Sequence, residues 1–200
     1  MSKETQKEWN RRSLRPGLPS VMSLRWDEER SQAATSALQE ELLAVMGNLE
    51  GKRLLEIGCG IGRLTPFFQQ SGADIVAVDY SMGMLRRASG NIPTVPFINA
   101  TAEALPLSSC AFDSSVAVTV LQHIVEPDEF KNAIAEIKRV TRDSIVICDE
   151  LRLEAPERVS PFTLLRTIEM FKDLMPDWRL AEEKQFACIS DLYTIMRWER

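Results

Sequence analysis

Residues 54–65 read Leu54-Leu55-Glu56-Ile57-Gly58-Cys59-Gly60-Ile61-Gly62-Arg63-Leu64-Thr65. A short apolar run of strand character enters three glycines at alternate positions, and helix-forming sequence follows at once. Glycine lets the backbone turn sharply and lets a ligand approach without meeting a Cβ. The helix start beyond the turn offers N–H groups without intrahelical partners to an acceptor or anion. Two details narrow the ligand. A dinucleotide fingerprint GxGxxG places its third glycine at position 63, where Arg63 stands. Glu56 lies two places before the first glycine, where a carboxylate would repel a pyrophosphate but suits an ammonium group. No Gly-Lys-Ser/Thr follows, which excludes a P-loop.

Working outward, the apolar periodicity alternates between strand and helix. Helical spacing over 27–46, through Ala34, Leu38, Leu42 and Val45, stops at Gly47–Asn48. A strand at 53–57 precedes the glycines, and a helix runs from about 62 to 70. Strands are expected at 75–78, 95–98, 113–119 and 144–148. A helix capped by Ser81 runs to Ala88, and another spans 128–140 with Phe130, Ile134, Ile137 and Val140 on one side. This alternation predicts an α/β fold: a doubly wound, mostly parallel sheet with helices on both faces. After Glu150 the rhythm changes. A helix is expected at 162–175, then two strands, 178–186 and 192–198, linked too closely for anything but an antiparallel pair at a sheet edge. Residues 1–25 are polar and carry Pro16, Gly17 and Pro19, so irregular structure is expected there.

Asp79 ends the second strand, about twenty residues beyond Gly58, where a carboxylate can accept hydrogen bonds from both ribose hydroxyls of an adenosine ligand. It can equally cap the helix that begins near Ser81; together with Glu56 and the three glycines, the ribose reading is preferred. Tyr80 and Met84 can sandwich an adenine ring, or pack on the helix face.

With these residues in view, 53–150 resembles the class I S-adenosylmethionine-dependent methyltransferases, especially their small-molecule branch. LLEIGCGIGRLT is similar to that family's first motif and IVAVDYSMGMLRRA to its second. NATAEALPLSSCAFDSSVAVTVLQHI resembles the segment through the third strand, the adenine loop and the fourth strand. The resemblance covers about half the chain. It implies a Rossmann-like sheet of seven strands, the last antiparallel, with S-adenosyl-L-methionine above the carboxyl ends of strands one to four. By position it puts the turn at Gly58, Cys59, Gly60 and Gly62 under the methionine part. Asp79 falls on the ribose, Ala102 and Glu103 beside the adenine, and Val118 and Thr119 near the sulfonium. Thr101 stands where the adenine loop often begins with an acid, and Thr141-Arg142-Asp143-Ser144 replaces the usual Pro-Gly-Gly turn before the fifth strand. A single domain over 1–200 is expected, with an arm and lid helix (1–50), the cofactor-binding core (51–150), and a helix and strand pair (151–200).

Methyl transfer from a sulfonium needs an in-line nucleophile and exclusion of water; a protein base is needed only if the acceptor must lose a proton. His123, the single histidine, falls just beyond the fourth strand. It is either a base or substrate-orienting residue, or a packing residue at a helix start. Asp149 and Glu150 end the fifth strand on the same rim, where they can orient an amine or accept a proton, although the preferred reading is solvated carboxylates; Arg63 reads as a surface packing or pairing residue. Among Trp9, Trp26 and Trp178, each singly reads as ordinary packing, while one of them can wall an acceptor pocket.

The 24 basic and 29 acidic residues give a net charge of −5, no general reason to seek nucleic acid or an anionic membrane. Lys3, Lys7, Arg11, Arg12, Arg15 and Arg25 make the start locally basic, which can meet an anionic substrate but is read first as a solvated arm. The four cysteines contain no CxxC pair and read as thiols in a reducing compartment, neither disulfides nor metal ligands. No stretch has the length and apolarity of a signal or membrane span, so a soluble cytoplasmic protein is expected. The expected partner is a small-molecule methyl acceptor, its identity and the oligomeric state left open. Methylation of a protein through the basic arm is one alternative. A cofactor-binding subunit without catalysis is another, because 151–178 offers little room for an acceptor pocket.

Overall fold

The structure, a computed structural model, describes residues 3–22, 26–189 and 191–200. Seven strands form the main sheet in the order β3-β2-β1-β4-β5-β9-β8. They are β1 Arg53–Ile57, β2 Asp74–Asp79, β3 Phe97–Asn99, β4 Phe112–Val118, β5 Thr141–Glu150, β8 Arg179–Cys188 and β9 Asp191–Glu199. β1 to β5 run parallel, and β9 runs antiparallel to both β5 and β8. The strand order reverses between β1 and its two neighbours β2 and β4, which opens a crevice at the carboxyl ends of these strands. The expected α/β architecture, including the single antiparallel strand, is present.

Alternate residues of the central strands feed opposite faces. Leu55, Ile57, Ile145 and Ile147 join Phe130, Ile134 and Ile137 of α5 (Pro127–Val140) and Phe171 of α6 (Ile168–Leu174) in one cluster. Leu54, Ile75, Val116 and Val146 face the other way, onto Leu38 and Leu42 of α2 (Glu28–Met46), Phe68 of α3 (Thr65–Gln70) and Leu85 of α4 (Met82–Asn91). Burial on both faces is what makes these strands read as continuous apolar runs. The Asp27 side chain accepts from the Arg30 amide at 2.9 Å to start α2, and Ser81 caps α4 through the Met84 amide.

Three expectations are corrected. Residues 1–25 are not irregular throughout: α1 spans Lys3–Arg12 and a 3-10 turn spans Leu18–Ser20 (Arg25 lies outside the described residues). Tertiary contacts decide this. Tyr80 donates its hydroxyl to the Thr5 carbonyl at 3.1 Å, and Ser81 bonds Asn10 at 2.7 Å. Arg87 of α4 donates to the carbonyls of Ser13, Arg15 and Gly17 and to the Ser20 hydroxyl. The region 162–175 is not one helix. β7 (Thr163–Leu165) pairs with β6 (Glu157–Ser160) as a hairpin, and α6 begins only at Ile168. The Ser160 hydroxyl takes the Phe162 amide and the Arg166 carbonyl takes the Arg152 amide, turning the backbone away from helix. Finally, β5 starts at Thr141 directly from α5, so no connecting loop stands where 141–144 was expected to make one.

The four Arg87 bonds hold the N-terminal strap on α4. Arg87→Ala removes charge-assisted hydrogen bonds worth about 2 kcal/mol of strap docking. Limited proteolysis is expected to cut 13–22 faster while the melting transition of the sheet moves little; unchanged cleavage contradicts the clamp.

Candidate active site

The turn after β1 is tied to β2 by its backbone. The amides of Gly58 and Cys59 both donate to the Val78 carbonyl, at 2.7 and 3.0 Å. The Gly60 amide donates to Asp79 Oδ2 and the Ser81 amide to Asp79 Oδ1, both at 2.8 Å. Asp79 therefore joins the turn to the start of α4 while each oxygen keeps a further acceptor direction. Gly58 (φ 69°) and Gly60 (φ 58°) are left-handed. A Cβ at Gly58 would lie 2.3 Å from Val120 Cγ2, and one at Gly60 would lie 2.8 Å from Val21 Cγ1. Here the chain's own packing, besides any ligand, requires glycine.

A cavity of about 680 Å³ opens over this turn. Glu56, Gly58, Cys59, Gly60, Asp79, Tyr80, Val118, Thr119 and His123 all line it, so nine of the residues singled out in the sequence converge. Trp9 and Val21 of the strap, Arg63 and Val120 line it too. Gly62, Met84, Ala102 and Glu103 do not. Gly62 closes the turn through its amide on the Cys59 carbonyl, and Met84 is 1% exposed within α4. Ala102 is buried in the core, and Glu103 sits in a turn closed by a Thr101–Ala104 bridge.

Burial governs the electrostatics. Glu56 is 5% exposed, accepts the Thr65 hydroxyl at 2.6 Å, and is pushed up to about 7 by desolvation. Asp79, 8% exposed, is raised to about 6 by desolvation, against the lowering effect of its backbone bonds. Desolvation lowers His123 to about 4, leaving the imidazole neutral at physiological pH. Its Nδ1 lies 2.8 Å from the Phe162 carbonyl, which can only accept. Nδ1 therefore carries the proton, and Nε2 carries a lone pair. The Trp9 ring stands edge-on to the imidazole at 5.0 Å. Thr119 is left-handed (φ 54°), unusual for a β-branched residue, with its amide held by the Cys148 carbonyl at 2.7 Å. That bend carries the chain from β4 into the 3-10 turn Leu121–His123, folding Val120 over Gly58.

A second cavity, of about 930 Å³, shares Trp9, Val21, Arg63, Thr119 and His123 with the first. Its far walls are Trp26, Leu38, Phe186 and Tyr193, with Arg12, Cys148, Glu150 and Cys188. It is built from the strap, α2, β5, β8 and β9, with Thr163 the one contribution from 151–178, so little room in that stretch does not preclude a pocket. Arg63 faces both cavities, where the sequence suggested a surface helix residue. Trp178 is packed in the core instead. Asp149 is not solvated. It is 1% exposed, and desolvation raises it to about 8 against the pull of Arg166 and of the Gln122 and Val120 amides. Arg166, which the sequence did not single out, donates to the carbonyls of Leu121 and Ile124 and so brackets the turn that presents His123.

These acids fix a pH dependence. Glu56, Asp79 and Asp149 have folded values above their unfolded ones, so the fold binds their protons more tightly and loses stability as pH rises through them. His123 is shifted the other way and costs stability only below about 6.5. The loss sets in at their unfolded values and ends at about 8, with His123 opposing it below about 6.5. Thermal melting of the ligand-free protein is therefore expected to fall most clearly between about pH 6.5 and pH 8, and Glu56→Gln to flatten the fall up to about pH 7. A melting temperature that rises across that window contradicts the burial of these carboxylates.

The polar groups fit an adenosine ligand with an amino-acid tail: a buried carboxylate, Glu56, beside the glycine turn, and a second carboxylate, Asp79, at the end of β2. Comparison with known proteins agrees. Residues 55–147 match the family model described as a methyltransferase domain. A demethylmenaquinone methyltransferase of Renibacterium salmoninarum is 32% identical over 112 residues, 56% of this chain and 46% of that protein. A malonyl-[acyl-carrier protein] O-methyltransferase of Pseudescherichia vulneris is 31% identical over 101 residues, 50% of this chain and 39% of that protein. The chain thus spans less than half the length of these two relatives. The crystal structure of magnesium protoporphyrin IX methyltransferase from Synechocystis PCC 6803 with bound S-adenosylmethionine superposes with a TM-score of 0.71 at 18% identity, covering 97% of this chain and 90% of that one. Residues 55–147 thus match a methyltransferase domain, and the chain has the fold of the S-adenosylmethionine-dependent methyltransferases.

Proposed function

We propose that this chain transfers the methyl group of S-adenosyl-L-methionine to an oxygen, nitrogen or carbon of a small molecule seated in the second cavity. One observation carries the reading: the cavity holding Glu56, the 58–60 turn and Asp79 adjoins a second, aromatic-walled cavity, and Thr119 and His123 stand on the shared wall. When bound, the cofactor supplies an electrophilic methyl group on a sulfonium. The chain's own residues do the rest. Glu56 receives the ammonium of the tail and Asp79 receives the ribose hydroxyls. Trp9 and Val21 cover both cavities and exclude water. His123 offers the Nε2 lone pair to orient an acceptor hydroxyl or to take its proton.

The strap supports a small acceptor over a protein one. Arg12 is turned inward onto Trp9 and the Ser20 and Met22 carbonyls, and Arg87 binds the following segment, so this stretch is not a free basic arm. Of the two relatives, the one named for demethylmenaquinone favours a free small molecule, whereas the one named for malonyl-[acyl-carrier protein] has its acceptor group on a carrier protein. Among the described residues no helix is long and apolar enough to cross a membrane. Buried Cys59, Cys148 and Cys188 suit a reducing compartment, and the cytoplasm is the proposed setting.

Calorimetric titration with S-adenosylhomocysteine tests the cofactor half. Asp79→Ala is expected to weaken binding by about tenfold to a hundredfold, the loss of hydrogen bonds to a charged acceptor. Equal affinity in both proteins overturns the assignment. For the acceptor half, His123→Ala is expected to lower turnover at saturating acceptor; an unchanged rate removes His123 from the chemistry.

A further inference from the structure

The second cavity is unusual in its charges. Two guanidiniums, Arg12 and Arg63, line it, and neither forms an ion pair among the described residues. Glu8, the carboxylate nearest in charge to Arg12, is bonded by Arg11 instead. Arg12 donates to the carbonyls of Ser20 and Met22 and rests 4.4 Å from the Trp9 ring centroid. Arg63 makes one bond, to the Thr35 hydroxyl at 3.3 Å. A guanidinium has five N–H groups, so both retain donors for a ligand. Of the carboxylates on the same cavity, Glu150 is paired with Arg152 at 3.0 Å and Asp191 is not free, while Glu56 of the first cavity acts on Arg63 only through its charge. Burial holds both arginines below the usual arginine range, a cost that a bound anion relieves.

Position adds to charge. Arg63 lines both cavities, and Arg12 is close enough to His123 to oppose its protonation. Both cations therefore flank the wall through which a methyl group must pass. Beyond them the cavity is aromatic, with Trp26 and with the Phe186 and Tyr193 rings stacked at 5.6 Å.

Building on the methyl-transfer reading above, we propose that the acceptor is an aromatic carboxylate, held through its carboxylate by Arg63 and Arg12, and that the product is its methyl ester. The planar guanidinium fork matches a carboxylate better than it matches a single hydroxyl. A carboxylate is already ionised at neutral pH, so no proton has to leave and no base is required; orientation falls to the two guanidiniums, because the acceptor lone pair of His123 Nε2 cannot hydrogen-bond a carboxylate. One carboxylate oxygen forms a bond to the methyl carbon as the carbon–sulfur bond breaks. The electron pair of that bond stays on sulfur, leaving a neutral ester and a neutral thioether, with no proton moved and no oxidant or reductant consumed.

The test uses the full chain saturated with S-adenosylhomocysteine, whose binding is measured first. 2-Naphthoate and its neutral counterpart 2-naphthamide are then titrated into the complex. The naphthoate is expected to bind about tenfold to a hundredfold more tightly, the range for hydrogen bonds to charged groups. Arg63→Gln and, separately, Arg12→Gln are each expected to erase most of that preference while leaving naphthamide affinity unchanged. Each variant is first checked for its melting transition and S-adenosylhomocysteine affinity, and Arg63→Lys, which keeps the charge, is expected to retain part of the preference. Equal affinity for the two probes, a preference that survives in both glutamine variants, or no binding of either probe to a complex that holds S-adenosylhomocysteine overturns the proposal. Failure of S-adenosylhomocysteine itself to bind is a different result and overturns the methyl-transfer reading with it.

Discussion

A buried carboxylate shared between two backbone amides organises the cofactor side of this protein. Asp79 ends β2 with Gly60 on one oxygen and Ser81 on the other, so one side chain fixes both the glycine turn and the first residue before α4. Isolated, such a carboxylate would be costly to bury, and its tendency to hold a proton records that cost. The amides and any hydroxyls that join them make its charged form tolerable. The same residue thus stabilises the turn and offers a recognition point, which is why its capping and ligand roles need not compete.

From that anchor the site spreads by contact between distant segments. The turn is bare, so Val120 folds over Gly58 and Val21 over Gly60. Val120 belongs to the bend at Thr119, whose continuation is bracketed by Arg166 from the β7 end of the small hairpin. Val21 belongs to the strap, which Arg87 clamps from α4. The floor, wall and cover of the cavity are therefore carried by β1, β4 and the N-terminal strap, with cations from two of these regions meeting where the cavities adjoin.

The parts legible in the sequence were those whose information is local. The buried strands showed themselves as apolar runs, and Glu56, the glycines and Asp79 by spacing. The close link between β8 and β9 required an antiparallel pair. What escaped depended on tertiary partners. The 3–12 stretch has few apolar residues, and its helix is held by Tyr80 and Ser81, more than seventy residues away. The 162–175 stretch has helical composition, yet β-branched Thr163 and Thr167 and the Ser160 side chain favour a hairpin before the helix. Arg63 stands at a helix start, where sequence suggests a surface, but the turn before it points its side chain inward. The second cavity was invisible because its walls come from segments far apart in sequence, each ordinary alone.

The most direct measurement is a crystal structure of the protein grown with S-adenosylhomocysteine. Both ribose hydroxyls are predicted within hydrogen-bond distance of Asp79, the ammonium beside Glu56, and the sulfur facing the wall shared by Thr119 and His123. Density for the ligand anywhere else, or a ribose that leaves Asp79 bonded to its two amides alone, would contradict that arrangement.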